Sequence, residues 1–210
     1  VNIGLVGTAT HPRCVKNLAM SAKDKLSVGE WVEKQSDAGH MLGPFLTEDV
    51  PYDKWTRSPM GAVPKPNGTI RPITHLSKAS LTSPSVNEQL YEPWRHCTLP
   101  TFLEVVEMFW VLLPGAWLWL IDLESAYRQV RIQAAQAQHL GVQIFGFWFF
   151  DVTLPFGLAT APFLFLLYAE ALRWIMKHWA APLFQVMTSY LDDFFGGQAT
   201  RARAQAAIDR

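Results

Sequence analysis

Hydrophobic residues fall along this chain in short runs whose spacing shifts between the 3.6-residue repeat of helices and the two-residue alternation of strands. Val28, Trp31 and Val32 share one helical face, Ser27 and Glu30 have the spacing of a capping box, and Gly39 follows. A helix is therefore predicted from Ser27 to about Ser36. Gly43 to Pro59 is dense in proline and turn residues and reads as a connector. Val63-Pro64-Lys65 and Thr69-Ile70-Arg71 then flank Lys65-Pro66-Asn67-Gly68 as a hairpin. Proline suits the first central position of a type I turn, and Gly68 suits the left-handed position after it. Lys65 lies opposite Thr69 in that register, and Arg71 shares their face.

Thr101 with Glu104 opens a second helix to about Leu112, and Pro114-Gly115 comes after its end. Trp117 to Leu123 is an apolar run that suits a buried strand, and Phe145 to Thr153 is aromatic and β-prone. Thr160 is placed to cap a long helix from Ala161 to about Trp179, with Glu170, Arg173 and Lys177 as its one polar stripe and the rest buried. Val186 to Phe195 reads as two short strands around Asp192-Asp193. Helices and hairpins mixed in this way predict an α+β fold.

With 210 residues, half of them hydrophobic, the chain can bury one sizeable core or a large core plus a small appendage, and a disordered chain is excluded. The two most apolar stretches, Thr101 to Leu120 and Ala161 to Ala180, are interrupted by charge or proline, so neither reads as a membrane span. Formal net charge is +0, which weighs against nucleic-acid binding unless a local basic patch supplies it. Cys14 and Cys97 make neither a disulfide framework nor a zinc site and read as thiols of a reducing compartment. Val1 is followed by no signal-type pattern, and the start at valine and the end at Arg210 suggest a fragment.

Asp122 ends an apolar strand, and Asp192-Asp193 sit between Tyr190-Leu191 and Phe194-Phe195. Taken singly, a strand-end aspartate is usually a turn or cap residue, and a hairpin Asp-Asp pair is usually solvated. Together, three carboxylates on apolar elements repel one another unless hard cations join them. Two such cations activate an attacking hydroxyl and stabilise a leaving pyrophosphate.

These residues also carry a family resemblance. Ile121-Asp122-Leu123-Glu124-Ser125-Ala126-Tyr127-Arg128-Gln129-Val130 resembles the first palm motif of reverse transcriptases. Leu154-Pro155-Phe156-Gly157-Leu158-Ala159-Thr160-Ala161-Pro162 resembles their second motif as found in LTR-type and DIRS-type retroelements. Tyr190-Leu191-Asp192-Asp193 is similar to their tyrosine-any-aspartate-aspartate motif, and Ser58 to Asn87 resembles the fingers hairpin. The four blocks stand in the family's order and span roughly residues 40–200. His75-Leu76-Ser77 with Val86-Asn87 leans toward the DIRS-type branch.

The resemblance implies a polymerase right hand of fingers and palm, an antiparallel palm sheet backed by helices. Residues 1–50 would form an extension and connector, and residues 51–210 the interleaved fingers and palm. It implies RNA-directed DNA polymerase activity with two magnesium ions, or manganese in their place. Asp122 and Asp192 would ligate both metals, Asp193 would be a weaker ligand, and the Leu123 carbonyl would add one oxygen. Amides at Ser125 and Ala126 would meet the incoming deoxynucleoside triphosphate, and Lys65 and Arg71 would grip its phosphates. Tyr127, five residues after Asp122, would pack under the sugar and exclude a 2′-hydroxyl. Phe156 stands where some retroviral enzymes carry glutamine, and Gly157 would let backbone approach nucleotide or template.

The implied partners are an RNA or DNA template with primer, inside the cell in cytoplasm or nucleus, with no membrane. Seventeen residues follow Asp193, so the later palm motif, the primer-gripping hairpin and the thumb are expected to be missing. Two alternatives stay open. One is an inactive palm remnant that binds nucleic acid at most, against which the intact acids speak. The other is an RNA polymerase of the same architecture, which would place an aspartate where Tyr127 stands.

Overall fold

The computed structural model describes residues 1–6, 13–81 and 83–209, together with the backbone but not the side chains of 13 and 14. In chain order the elements are β1 (Arg13–Cys14), α1 (Ala22–Asp37), β2 (Met41–Phe45), β3 (Thr56–Arg57), β4 (Met60–Pro64), β5 (Ile70–Thr74), α2 (Phe102–Trp110), β6 (Trp117–Asp122), α3 (Ala134–Ala137), β7 (Gly141–Ile144), β8 (Phe147–Asp151), α4 (Ala161–Trp179), α5 (Ala181–Phe184), β9 (Met187–Tyr190), β10 (Asp193–Gln198) and α6 (Arg201–Ile208). The fold is α+β and forms two compact units, Val1–Arg95 with Tyr127–Ala161, and His96–Ala126 with Pro162–Arg210.

In the first unit a five-stranded sheet runs β1-β3-β7-β8-β2, beside the β4-β5 hairpin. Helix α1 lays Val28 and Val32 onto Met41, Met60, Val142, Ile144 and Phe149, all buried. The helix starts earlier than its apolar pattern does. Ser21 is the N-cap, its Oγ accepting the Asp24 N–H at 3.1 Å, so Ser27 is an interior residue. The first turn is polar and carries no hydrophobic signal, which is why the cap was expected at Ser27. The Gly43–Pro59 segment is likewise more than a connector. It contains part of β2 and all of β3, both paired into the sheet despite their proline-rich surroundings. Trp148 and Phe150, whose rings stack at 14°, lie in β8, which β7 joins through a turn with Phe145 at φ 51°.

The β4-β5 hairpin follows the predicted register. The Lys65 N–H donates to Thr69 O (2.8 Å), and the Gly68 N–H to Lys65 O (3.0 Å). Gly68 has φ 77°, the left-handed conformation that this loop demands.

The second unit is built on an antiparallel sheet ordered β6-β10-β9. Helix α2 begins with the expected box, in which Thr101 Oγ1 accepts from the Glu104 N–H while Glu104 reaches back to the Thr101 N–H at 2.6 Å. Strand β6 departs from expectation. Only Trp119 is buried, whereas Leu118 and Leu120 on the other face are exposed, because an apolar run reads alike whether one face is covered or both. Helix α4 spans the predicted residues, but Leu167, Tyr168, Leu172, Trp174, Ile175 and Trp179 are exposed, so its buried surface is confined to the N-terminal half. Thr160 stands immediately before its first residue. Its buried hydroxyl donates to Ile3 O at 2.8 Å. No helix among the described residues is long and apolar enough to cross a membrane. Cys97 is a free thiol, and the side chain of Cys14 lies outside the described residues.

Candidate active site

Strands β9 and β10 are joined by the two-residue turn Leu191-Asp192, with Tyr190 paired to Asp193. Leu191 has φ 54°, whereas Asp192 is not in the left-handed region. Positive φ at the first central residue alone is the pattern of a type II′ hairpin, a position that glycine normally holds. A leucine there costs about 1–2 kcal/mol, and such strain persists only where surrounding contacts over-determine the backbone.

Across the sheet Asp193 pairs with Asp122, so the two side chains leave on one face. The Leu123 N–H donates to Asp192 O at 3.1 Å and fastens the end of β6 to the turn. Burial first, then the negative charges of Asp192 and Asp122, push the Asp193 carboxyl above its ordinary pKa. The acids therefore adjoin and repel. They are not a closed cage, since no three His, Cys, Asp or Glu among the described residues are drawn together closely enough to hold a metal ion as they stand. The donor set nonetheless suits a hard divalent cation, with oxygen ligands only and a repulsion that positive charge would relieve. Ser125 follows with φ 53°, a further non-glycine residue in the left-handed region, and Ala126 is buried at the start of a 3₁₀ turn to Gln129.

The first unit holds a cleft of about 660 Å³ whose lining includes Lys65, Arg71, Trp31, Arg128, Phe156 and Gly157. Lys65 and Arg71 are exposed on the hairpin, so the cleft brings two cations to an aromatic wall. Tyr127 packs on Phe156 with ring centroids 5.1 Å apart at 49°. Gly157 has φ 90°, where any side chain is strained, and a Cβ there would sit a tight 3.0 Å from Thr74 O, so this approach to β5 favours glycine.

Arg128 belongs to the cleft but was not singled out from sequence. It is buried, ion-paired to the fully buried Asp151, 3.4 Å from Thr153 Oγ1, and its guanidinium lies 5.9 Å from the Trp31 ring centroid. Burial drives the Asp151 pKa up, opposed by the Arg128 charge. The available signal was Asp151 at the end of the apolar run Phe147–Asp151, since a buried charge needs a partner.

No protein-family model matches this chain, and no curated protein does. Among solved structures it is similar to foamy viral protease-reverse transcriptase in complex with double-stranded DNA, at TM-score 0.70 and 16% identity, covering 99% of this chain and 32% of that one. The native protease-reverse transcriptase of prototype foamy virus aligns at TM-score 0.68 and 16% identity, covering 98% of this chain and 24% of that one. The foamy viral enzyme in complex with an RNA/DNA hybrid aligns at TM-score 0.70 and 15% identity, covering 99% and 24%. Likeness at this identity shows the fold, which is reverse-transcriptase-like. The chain spans between a quarter and a third of the length of these proteins.

Proposed function

We propose that this chain carries the fingers and palm of an RNA-directed DNA polymerase of an LTR-type or DIRS-type retroelement, with a primed RNA or DNA template and deoxynucleoside triphosphates as substrates. The observation that carries the proposal is Asp193 set opposite Asp122 on paired strands, beside Asp192 on a strained turn, with burial and then the charges of the other two acids raising the Asp193 pKa. The solved neighbours include complexes with double-stranded DNA and with an RNA/DNA hybrid, which supports nucleic acid as the partner. On this reading residues 51–210 hold the interleaved fingers and palm. Residues 1–50 precede them, and their α1 and β2 pack into the core of the first unit.

Asp122 and Asp192, with the Leu123 carbonyl, would hold two magnesium or manganese ions, and Asp193 would contribute a weaker contact. Bound there, the ions supply activation of the primer hydroxyl and charge neutralisation at the leaving pyrophosphate. Lys65 and Arg71 bind the triphosphate and stabilise the negative charge that develops on its equatorial oxygens. Amides of Ser125 and Ala126 donate to the same phosphates. Tyr127, steadied by Phe156, fills the space beside the sugar and excludes a 2′-hydroxyl.

The test is primer extension on an RNA template with magnesium and deoxynucleotides, carried out with the full chain. Asp192→Asn is expected to lower extension by roughly a thousandfold, since a lost acid removes charge stabilisation of the transition state. Extension equal to the parent's would remove the polymerase assignment.

A further inference from the structure

Asn87 is 8% exposed, and its carboxamide joins two segments distant in sequence. Its Nδ2 donates to Ser77 Oγ at 2.7 Å and to Gly157 O at 2.8 Å, while its Oδ1 accepts the Ala159 N–H at 2.9 Å. The amide orientation is unambiguous, because Gly157 O only accepts and the Ala159 N–H only donates. The Asn87 N–H is itself tied to Leu76 O at 3.1 Å. One side chain thus bolts the turn around Phe156-Gly157 to the segment that leaves β5.

The bolt acts beside a close backbone approach in the cleft. Gly157 lies so close to Thr74 O that no Cβ fits comfortably. Arg71 stands on β5, and Phe156 stands on the clamped turn, so the distance between cation and aromatic wall depends on how that turn is held. Buried amides of this kind are costly to leave unpaired, so the three bonds form together or fail together.

We propose that Asn87 is a positioning residue for the nucleotide cleft, locking the Phe156-Gly157 turn against the end of β5 and thereby setting affinity for the incoming nucleotide rather than the rate of the chemical step. The proposal rests on the polymerase reading for its substrate, while the lock itself is judged separately. Three variants in the full chain test it, Asn87→Ala, Asn87→Asp and Ser77→Ala, by single-nucleotide incorporation with magnesium and by hydrogen exchange of the Ala159 amide. Asn87→Ala is expected to raise the nucleotide KM about tenfold, leave kcat within about twofold, and speed Ala159 exchange about tenfold, as befits one lost buried hydrogen-bond set. Asn87→Asp is expected to move the same way, because a carboxylate oxygen would face Gly157 O. Ser77→Ala, which removes one acceptor only, is expected to raise KM about twofold to threefold.

A KM within twofold of the parent in a folded Asn87→Ala protein would overturn the proposal, as would a fall in kcat with KM unchanged. If the Asn87 variants do not fold, Ser77→Ala decides, and an unaltered KM there overturns it. If the parent incorporates no nucleotide, the polymerase reading fails. Exchange at Ala159 then judges the lock alone, and unaltered exchange refutes it.

Discussion

Replacing Arg128 by methionine isolates the energetics of the buried pair beneath the cleft. Asp151 is 1% exposed and Arg128 6%, so neither charge has water to fall back on. Methionine keeps much of the aliphatic volume against Trp31 but removes the countercharge. Breaking a buried pair by deleting one partner costs about 3–5 kcal/mol, because the remaining ion is stranded. For a chain of 210 residues, a loss of that size lowers Tm by roughly 6–20 °C.

The pH dependence supplies a signature that lost packing would not produce. Burial already raises the Asp151 pKa and Arg128 opposes it, so the variant's carboxyl rises further. A carboxyl raised in the folded state binds its proton more tightly folded than unfolded. Its contribution is therefore fully present below the unfolded pKa and is lost as pH rises through the folded value. The deficit of Arg128→Met relative to the parent should be largest near neutrality and shrink on acidification. Removing both charges, as in Arg128→Met with Asp151→Leu, should recover most of the loss. Thermal denaturation followed by circular dichroism from pH 4 to 8 measures each quantity. A deficit below about 1 kcal/mol at neutral pH, or one independent of pH, would refute the view that the pair is electrostatically committed.

Tyr127→Val should lower discrimination against ribonucleotides by at least about tenfold, since a lost ring opens the space that a 2′-hydroxyl needs. Comparing incorporation of the two sugar types measures this, and unchanged selectivity would take Tyr127 out of the sugar pocket. Leu191→Gly should leave Tm equal or raised, because relieving positive φ returns about 1–2 kcal/mol against roughly 0.5–1 kcal/mol of added chain entropy. A clear fall in Tm would mean that the Leu191 side chain contributes packing that outweighs its strained backbone.

What the chain states locally, it states well. The Thr101–Glu104 capping box, the Lys65–Gly68 turn with its register, and the β9-β10 hairpin, which turns one residue earlier than Asp192-Asp193 at Leu191-Asp192, rest on contacts within three or four residues, which spacing alone specifies. The fold class and the ordered motif blocks were legible for the same reason. Features set by distant partners were not. Strands β2 and β3 hid in a proline-rich segment, because their pairing depends on β8 and β7 rather than on their own composition. The open face of β6, the exposed half of α4 and the buried hydroxyl of Thr160 were decided by which surfaces other elements cover. Arg128 with Asp151, and Asn87 with Gly157 and Ala159, are polar groups whose meaning appears only once burial makes an unpaired charge or amide expensive. By itself the sequence determined the hairpin turn at Lys65–Gly68, the Thr101 cap and the order of the acids. Tertiary structure alone decided their register across the sheet, because hydrophobic patterning is short-ranged and strand pairing is not.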